Sequence, residues 1–416
     1  MKTMRDMLLV GFALLAASAF AALEPLSPIG GAVVQLVPDA QKKVMALPTL
    51  GERIRILEDD RMSDKVLDLD RRWRRAKPLV LELRTTEGEK GPWKVEIGKN
   101  ADLVDARTWY VPAPGTFLVT SRSVASSVTQ DVVTITMRNA NLEVATRYYW
   151  RVSYRGRCGD GCGPKHGCAV CKEVVSSSVA TFATEDLAPR WISVEGDVGN
   201  IRDLGGRLGL GGRRIRQGLV YRGQAFNDNS VTGEHRGRNR LTSEDVEYLT
   251  GTLGIKTDLD LRSQEETADL VVSPLGNKTR FVQHSSFSYQ HIFKPEGMQM
   301  MAKNFRVFCD WKNYPVYFHC IAGADRTGAI AYVLNGVLGV CRHELETDWE
   351  STFYPKIPNE NPDPNFWHRE LRLNDGFSKY GDADMSWNER IVLYLKDCGI
   401  TDAEIKTFRD IMLEPK

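Results

Sequence analysis

The sequence predicts a multidomain protein, an N-terminal all-β sandwich followed by an α/β domain with a mainly parallel central sheet. Three observations predict it. The chain has 416 residues, more than one hydrophobic core normally spans. From about Glu24 to Thr184, short β-branched and aromatic runs alternate with turn residues, the pattern of a sandwich. Beyond Arg190, strand-like and helix-like segments alternate, as in a parallel sheet with crossover helices.

The N-terminus comes first. Lys2 and Arg5 precede the apolar run Met7 to Ala17, and Ala19-Phe20-Ala21 places small residues at the A-x-A positions of an export signal. Cleavage is expected after Ala21, giving a periplasmic or secreted product over residues 22–416. The apolar run is short of the ~20 residues that span a bilayer, so no transmembrane anchor is expected after cleavage.

In the following unit, residues 22–186, the expected strands are Leu79 to Arg84, Trp93 to Ile97, Phe117 to Thr120, Val132 to Met137, Arg147 to Tyr154 and Val179 to Thr184. Gln41 to Lys77 breaks the pattern with charged, helix-compatible sequence and reads as an insertion. Cys158, Cys162, Cys168 and Cys171 crowd into one Gly-rich stretch. In an oxidising compartment they read as two disulfides. A zinc site is the alternative, because Cys168 and Cys171 have knuckle spacing while Cys158 to Cys162 is one residue longer than the commonest pattern. Glu185 to Arg190, containing Pro189, is the expected linker.

In the second unit, residues 190–416, strands are expected at Gly218 to Arg222 and Ile255 to Leu261, with a helix from Ser243 to Leu253 capped by Thr242. Pro315 to Phe318 is a short apolar strand. It leads into the loop at Cys320 and a helix from Arg326 to Val340, and further helices are expected at His343 to Phe353, Trp387 to Lys396 and Asp402 to Met412.

The chemistry concentrates in His319-Cys320-Ile321-Ala322-Gly323-Ala324-Asp325-Arg326-Thr327-Gly328. A strand, a short loop and a helix together aim backbone amides and the positive helix end at one point, which makes an anion site. The amides of Ile321, Ala322, Gly323, Ala324, Asp325 and Arg326 are the expected phosphate ligands, with Gly323 supplying the backbone freedom the turn needs. A cysteine at such a mouth gains thiolate character, comparable sites lowering a thiol pKa to ~3.5–7.5, so Cys320 is the expected nucleophile. Arg326 is the expected clamp on phosphoryl oxygens, and Asp325 the expected general acid and base. Thr327 is expected to bond the thiolate and His319 to fix the loop.

Two resemblances follow from these residues. Leu142 to Val152, with Thr181-Phe182-Ala183-Thr184, resembles the last strands of a fibronectin type III domain. The decamer at His319 resembles the HCxxGxDRTG signature of the tyrosine-phosphatase superfamily, in the branch of bacterial tyrosine/serine phosphatases. Asn200-Ile201-Arg202-Asp203-Leu204-Gly205-Gly206, Tyr221-Arg222-Gly223-Gln224, and Asp260-Leu261-Arg262-Ser263 with Glu266 match further blocks of that branch. The resemblance implies Cys320 as nucleophile, Arg326 as clamp and Asp325 as acid, with Asp203 as the second choice of acid. It also implies buried ion pairs, among them Arg262, that brace the loop.

The branch usually carries lysine where this chain has Ala324, which favours simple monophosphates over polyanionic substrates. The expected activity is hydrolysis of phosphotyrosine, and of phosphoserine or phosphothreonine, through a phosphocysteine. The alternatives are an inositol phosphate or phosphoinositide phosphatase of the same mechanism, and a non-catalytic phospho-ligand binding protein. No cofactor is expected. The expected partner is a phosphorylated protein or small phosphomonoester, with protein or carbohydrate docking on a sandwich that acts as spacer. Basic and acidic residues number 55 and 54, a net charge of +1 that gives no basis for nucleic-acid binding.

Overall fold

The computed structural model describes residues 23–58, 76–85, 91–114, 124–129, 131–155, 174–227, 239–267, 270–353 and 366–415. The export segment, the expected strand Phe117 to Thr120 and all four clustered cysteines lie outside the described residues.

The N-terminal unit is mostly strands, in two sheets. One has the order Leu23–Ser27, Leu79–Thr85, Val132–Met137, Val124–Thr129, all antiparallel. The other runs Val33–Val34, Ala180–Thr184, Arg147–Arg155, Trp93–Gly98, Arg107–Val111, with Val174–Ser176 also paired to Arg147–Arg155. Leu79, Leu81 and Leu83 point inward while Val80, Glu82 and Arg84 point out, the period-2 alternation of a half-buried strand. They share one core with Val133 and Ile135 and, across the gap, with Trp93, Val95, Trp150 and Val152.

The expected insertion forms two helices, Asp39–Met45 and Leu50–Glu58, over its described part. These do not trail into solvent. Arg53 is fully buried, its Nε 2.9 and 2.8 Å from the two carboxylate oxygens of Glu350 and its Nη2 2.7 Å from Glu346. The connection 185–190 is likewise pinned rather than a free tether. Glu185 accepts from the amides of Leu36 and Val37, and Arg190 is buried against Asp203.

The second unit has one six-stranded sheet. Val220–Gly223, Val316–His319, Thr257–Asp260 and Arg280–Gln283 run parallel in that order, and Arg202–Asp203 and Arg190–Trp191 extend it antiparallel. Val316–His319 is central and wholly buried, as a parallel strand covered on both faces must be. Register aligns Gly223, His319, Asp260 and Gln283 across the C-terminal edge, the edge where open parallel sheets place their ligands.

Helices Asp325–Val337, Pro295–Val307, Trp387–Asp397 and Asp402–Met412 contribute to the larger core of this unit. The expected helix at Ser243 is a short α-helix, Ser243–Glu247, followed by the wider turn Tyr248–Thr252, and Thr242 caps it by accepting from the Asp245 amide. Among the described residues no helix is long and apolar enough to cross a membrane.

Candidate active site

Cys320 follows directly from the central strand and is buried, and the helix Asp325–Val337 starts five residues later. The turn between them rests on Gly323, at φ +68°. A Cβ there would also stand 2.2 Å from the Gly223 carbonyl oxygen, so strain and space both demand glycine. Among the described residues the amides of Ile321, Ala322, Gly323 and Ala324 donate to no protein acceptor. A buried loop with four uncommitted donors ahead of a helix N-terminus is built for an anion.

The carbonyls of this loop are held by two side chains and one backbone amide. Asn200 Nδ2 donates to Ala322 O at 3.1 Å, Arg222 Nη2 to Gly323 O at 2.9 Å, and the Ala225 amide to Ile321 O at 3.0 Å. With the carbonyls drawn outward, the amides turn in. Arg222 is held in turn by Asp348, whose carboxylate also takes Arg202 at 3.1 Å and Arg207 at 3.0 Å. Burial alone would raise the Asp348 pKa, but the three guanidiniums hold it well below the ordinary carboxylate range. Asp348 has no motif to announce it, sitting in the run Glu344 to Glu350 of a helix, and sequence reasoning missed it.

Arg326 lies on the first helical turn and is half-buried. Its two terminal nitrogens, Nη1 and Nη2, meet the Glu266 carboxylate end-on, at 2.7 and 2.9 Å, which presets the guanidinium plane. Burial of Glu266 would raise its pKa, yet hydrogen bonds from Arg326 and the Ser263 amide hold it below its ordinary value. Arg326 and Arg222 both fall within electrostatic reach of Cys320.

His319 braces the floor. Its Nε2 is 3.0 Å from Asp258 Oδ1 and its Nδ1 is 3.0 Å from the Cys320 carbonyl oxygen. Asp260 is locked by Arg262, at 2.9 Å from Nε and 2.7 Å from Nη2. Burial disfavours the charged imidazole, but Asp260 and Asp258 outweigh it and raise the His319 pKa. His284, on the neighbouring strand end, is the opposite case, pushed down to about 4 by burial.

The structure thus brings together Cys320, the loop amides, Asp325, Arg326, His319 and Arg262. Asp325 is the first helical residue. Two expectations change. The Thr327 hydroxyl is buried without a hydrogen-bond partner among the described residues, so its expected bond to the Cys320 sulfur is not made. Asp203 accepts from Gly205, Gly218 and Arg190. Strand alternation turns it to the face opposite Arg202, so it serves the sheet and not the loop.

Strand, thiol-bearing loop, helix and carboxylate-set arginine together make an anion-suited pocket beside a thiol. Residues 192–414 match the tyrosine phosphatase family, more than half of the chain, and the protein belongs to that family. It is a phosphatase hydrolase. A protein of Cupriavidus necator assigned by name to the tyrosine-protein phosphatases is 30% identical over 199 residues, 40% of this chain and 67% of that one. A tyrosine-protein phosphatase of Nostoc commune is 27% identical over 214 residues, 41% of this chain and 70% of that one. The core catalytic domain of a PP-IP phosphatase from S. cerevisiae, solved with citrate, is 15% identical, covers 40% of this chain and 88% of its own, and has a TM-score of 0.24, too low to carry an argument.

Proposed function

We propose that the protein hydrolyses phosphomonoesters, with phosphotyrosine as its main substrate and phosphoserine or phosphothreonine as lesser ones, through a phosphocysteine at Cys320. The observation that carries this reading is the Cys320 loop itself, with four inward amides uncommitted and Arg326 preset by Glu266. Amides and guanidinium bind the phosphoryl oxygens and follow their charge into the transition state. The Cys320 sulfur attacks phosphorus, the ester oxygen leaves, and Asp325 supplies its proton. Asp325 then takes a proton from the water that cleaves the sulfur–phosphorus bond, which releases inorganic phosphate and restores the thiolate.

Ala324 supports simple monophosphates, since it adds no cation for a second phosphate. Export is part of the reading, supported by the residue pattern of 1–21, and the strand order of the N-terminal unit supports a fibronectin type III-like sandwich. The test compares phosphate release from a phosphotyrosine peptide and from inositol hexakisphosphate, using wild type and Cys320→Ser. Faster release from the peptide, lost in the variant, is expected. Preference for the inositol phosphate would overturn the substrate assignment, and full activity of Cys320→Ser would overturn the mechanism.

A further inference from the structure

A second polar cavity, of about 220 Å³, lies between the two units, away from the Cys320 loop. From the N-terminal unit it is lined by Arg107, Asn141 and Tyr148, and from the second by Arg190, Tyr221 and Tyr248. Asp105 and Glu143 line it as well, but several donors of its walls are left over. The Arg190 Nε is buried with no hydrogen-bond partner. Tyr221 is 1% exposed, and its hydroxyl bonds nothing among the described residues. The Tyr148 and Tyr248 hydroxyls already accept, from the Glu143 amide and Asn141 Nδ2, both at 2.9 Å, so each has its proton left to give.

The charges point the same way. Glu143 is held by Lys99, Asp203 by Arg190, and Asp105 by the amides of Lys99 and Asn100. Arg107 donates from Nη1 to Ala140 O at 3.1 Å but has no carboxylate within 4 Å among the described residues; its guanidinium lies over the rings of Trp109 at 4.4 Å and Tyr248 at 4.7 Å. Burial accordingly pushes the Arg107 pKa down. A cavity with several unspent N–H and O–H donors and one uncompensated cation is completed by a ligand that brings acceptor oxygens and negative charge.

We propose that this interdomain cavity binds a small oxyanion, phosphate or carboxylate, through Arg107, the Arg190 Nε–H and the Tyr221 hydroxyl. Its occupant joins the units, because Arg107 and Tyr221 come from different ones. The volume, about 220 Å³, has room for a small anion.

The experiment titrates the full chain with inorganic phosphate, and separately with acetate, at matched ionic strength, and reads the rise in unfolding temperature. The Cys320 loop binds oxyanions too, so the background is Arg326→Met, which removes its clamp. That variant is expected to keep a saturable rise, and adding Arg107→Gln and Tyr221→Phe is expected to weaken it by about tenfold or more. If the triple variant does not fold, Tyr221→Phe alone in the same background gives the smaller expected weakening. A rise with acetate assigns the site to oxyanions at large, and a rise with phosphate alone assigns it to tetrahedral ones. Complete loss of the response in Arg326→Met, or an undiminished response after the cavity substitutions, overturns the proposal. Neither result bears on turnover at Cys320, so this inference and the proposed function fail separately.

Discussion

At the scale of single residues, the site works by holding charges where a phosphoryl group needs them. Gly323→Ala would force a Cβ to 2.2 Å from the Gly223 carbonyl oxygen at a positive φ. The turn must then open and its amides lose their convergence, so we expect a rise in KM for any phosphomonoester with little loss of overall fold, measured by steady-state kinetics beside circular dichroism. Asp325→Asn should lower turnover by roughly 10²–10⁴-fold, the usual contribution of a positioned acid–base group, and least for esters whose leaving group needs no proton. Comparing a phenyl phosphate series of graded leaving-group pKa checks this. His319 makes a pH prediction. Its folded pKa is raised above the ordinary value of 6.5 by Asp260 and Asp258. The stability it contributes is therefore complete below about pH 6.5 and is lost as pH rises through the higher folded value. The stability difference between wild type and His319→Asn, from denaturant titrations, should shrink from pH 6 to pH 9.

At the scale of elements, the sequence showed the site better than its support. The strand at Val316, the Cys320 loop and the helix after it were legible, because a buried parallel strand must be apolar throughout and a phosphate loop needs glycine and a following helix. The blocks at Arg202, Arg222 and Asp260 were legible as bracing ion pairs. Asp348 was not, since a carboxylate in an acidic helix looks like solvated surface until the fold brings three arginines to it. The strands Arg107–Val111 and Val124–Thr129 were missed because the first is short and follows an aspartate-bearing turn, the second is rich in serine, and only pairing to a neighbour makes them strands. The largest correction concerns the helix Leu50–Glu58. Its Arg53 reaches two carboxylates of helix Arg342–Glu350, the helix that carries Asp348. Arg53→Ala would leave Glu350 buried without its cation, whereas Glu346 keeps Arg342, and breaking a buried pair in this way costs about 3–5 kcal/mol. Chemical denaturation should show a loss of that size, whereas a change within about 0.5 kcal/mol, as at an ordinary surface site, would remove Arg53 from the account.

At the scale of the whole molecule, the N-terminal unit is tied to the second by buried ion pairs and side-chain hydrogen bonds. Besides Arg53, Asn141 exchanges hydrogen bonds with Ser193 in both directions, and the Val144 amide donates to Gln217 at 2.9 Å. A chain beginning at Arg190 should therefore unfold at lower temperature and lose activity on warming, and unchanged stability and kinetics would restore the spacer reading. All of this serves one claim, that Cys320 carries the phosphoryl group between substrate and water. The most direct measurement is acid quench of Asp325→Asn during turnover of an aryl phosphate whose leaving group needs no proton, so that only hydrolysis of the intermediate is slowed, followed by mass spectrometry of the peptide containing Cys320. One phosphoryl group is expected on Cys320, accumulating because its hydrolysis lacks a base. Continued turnover with Cys320 unmodified, or with the phosphoryl group on another residue, would contradict it.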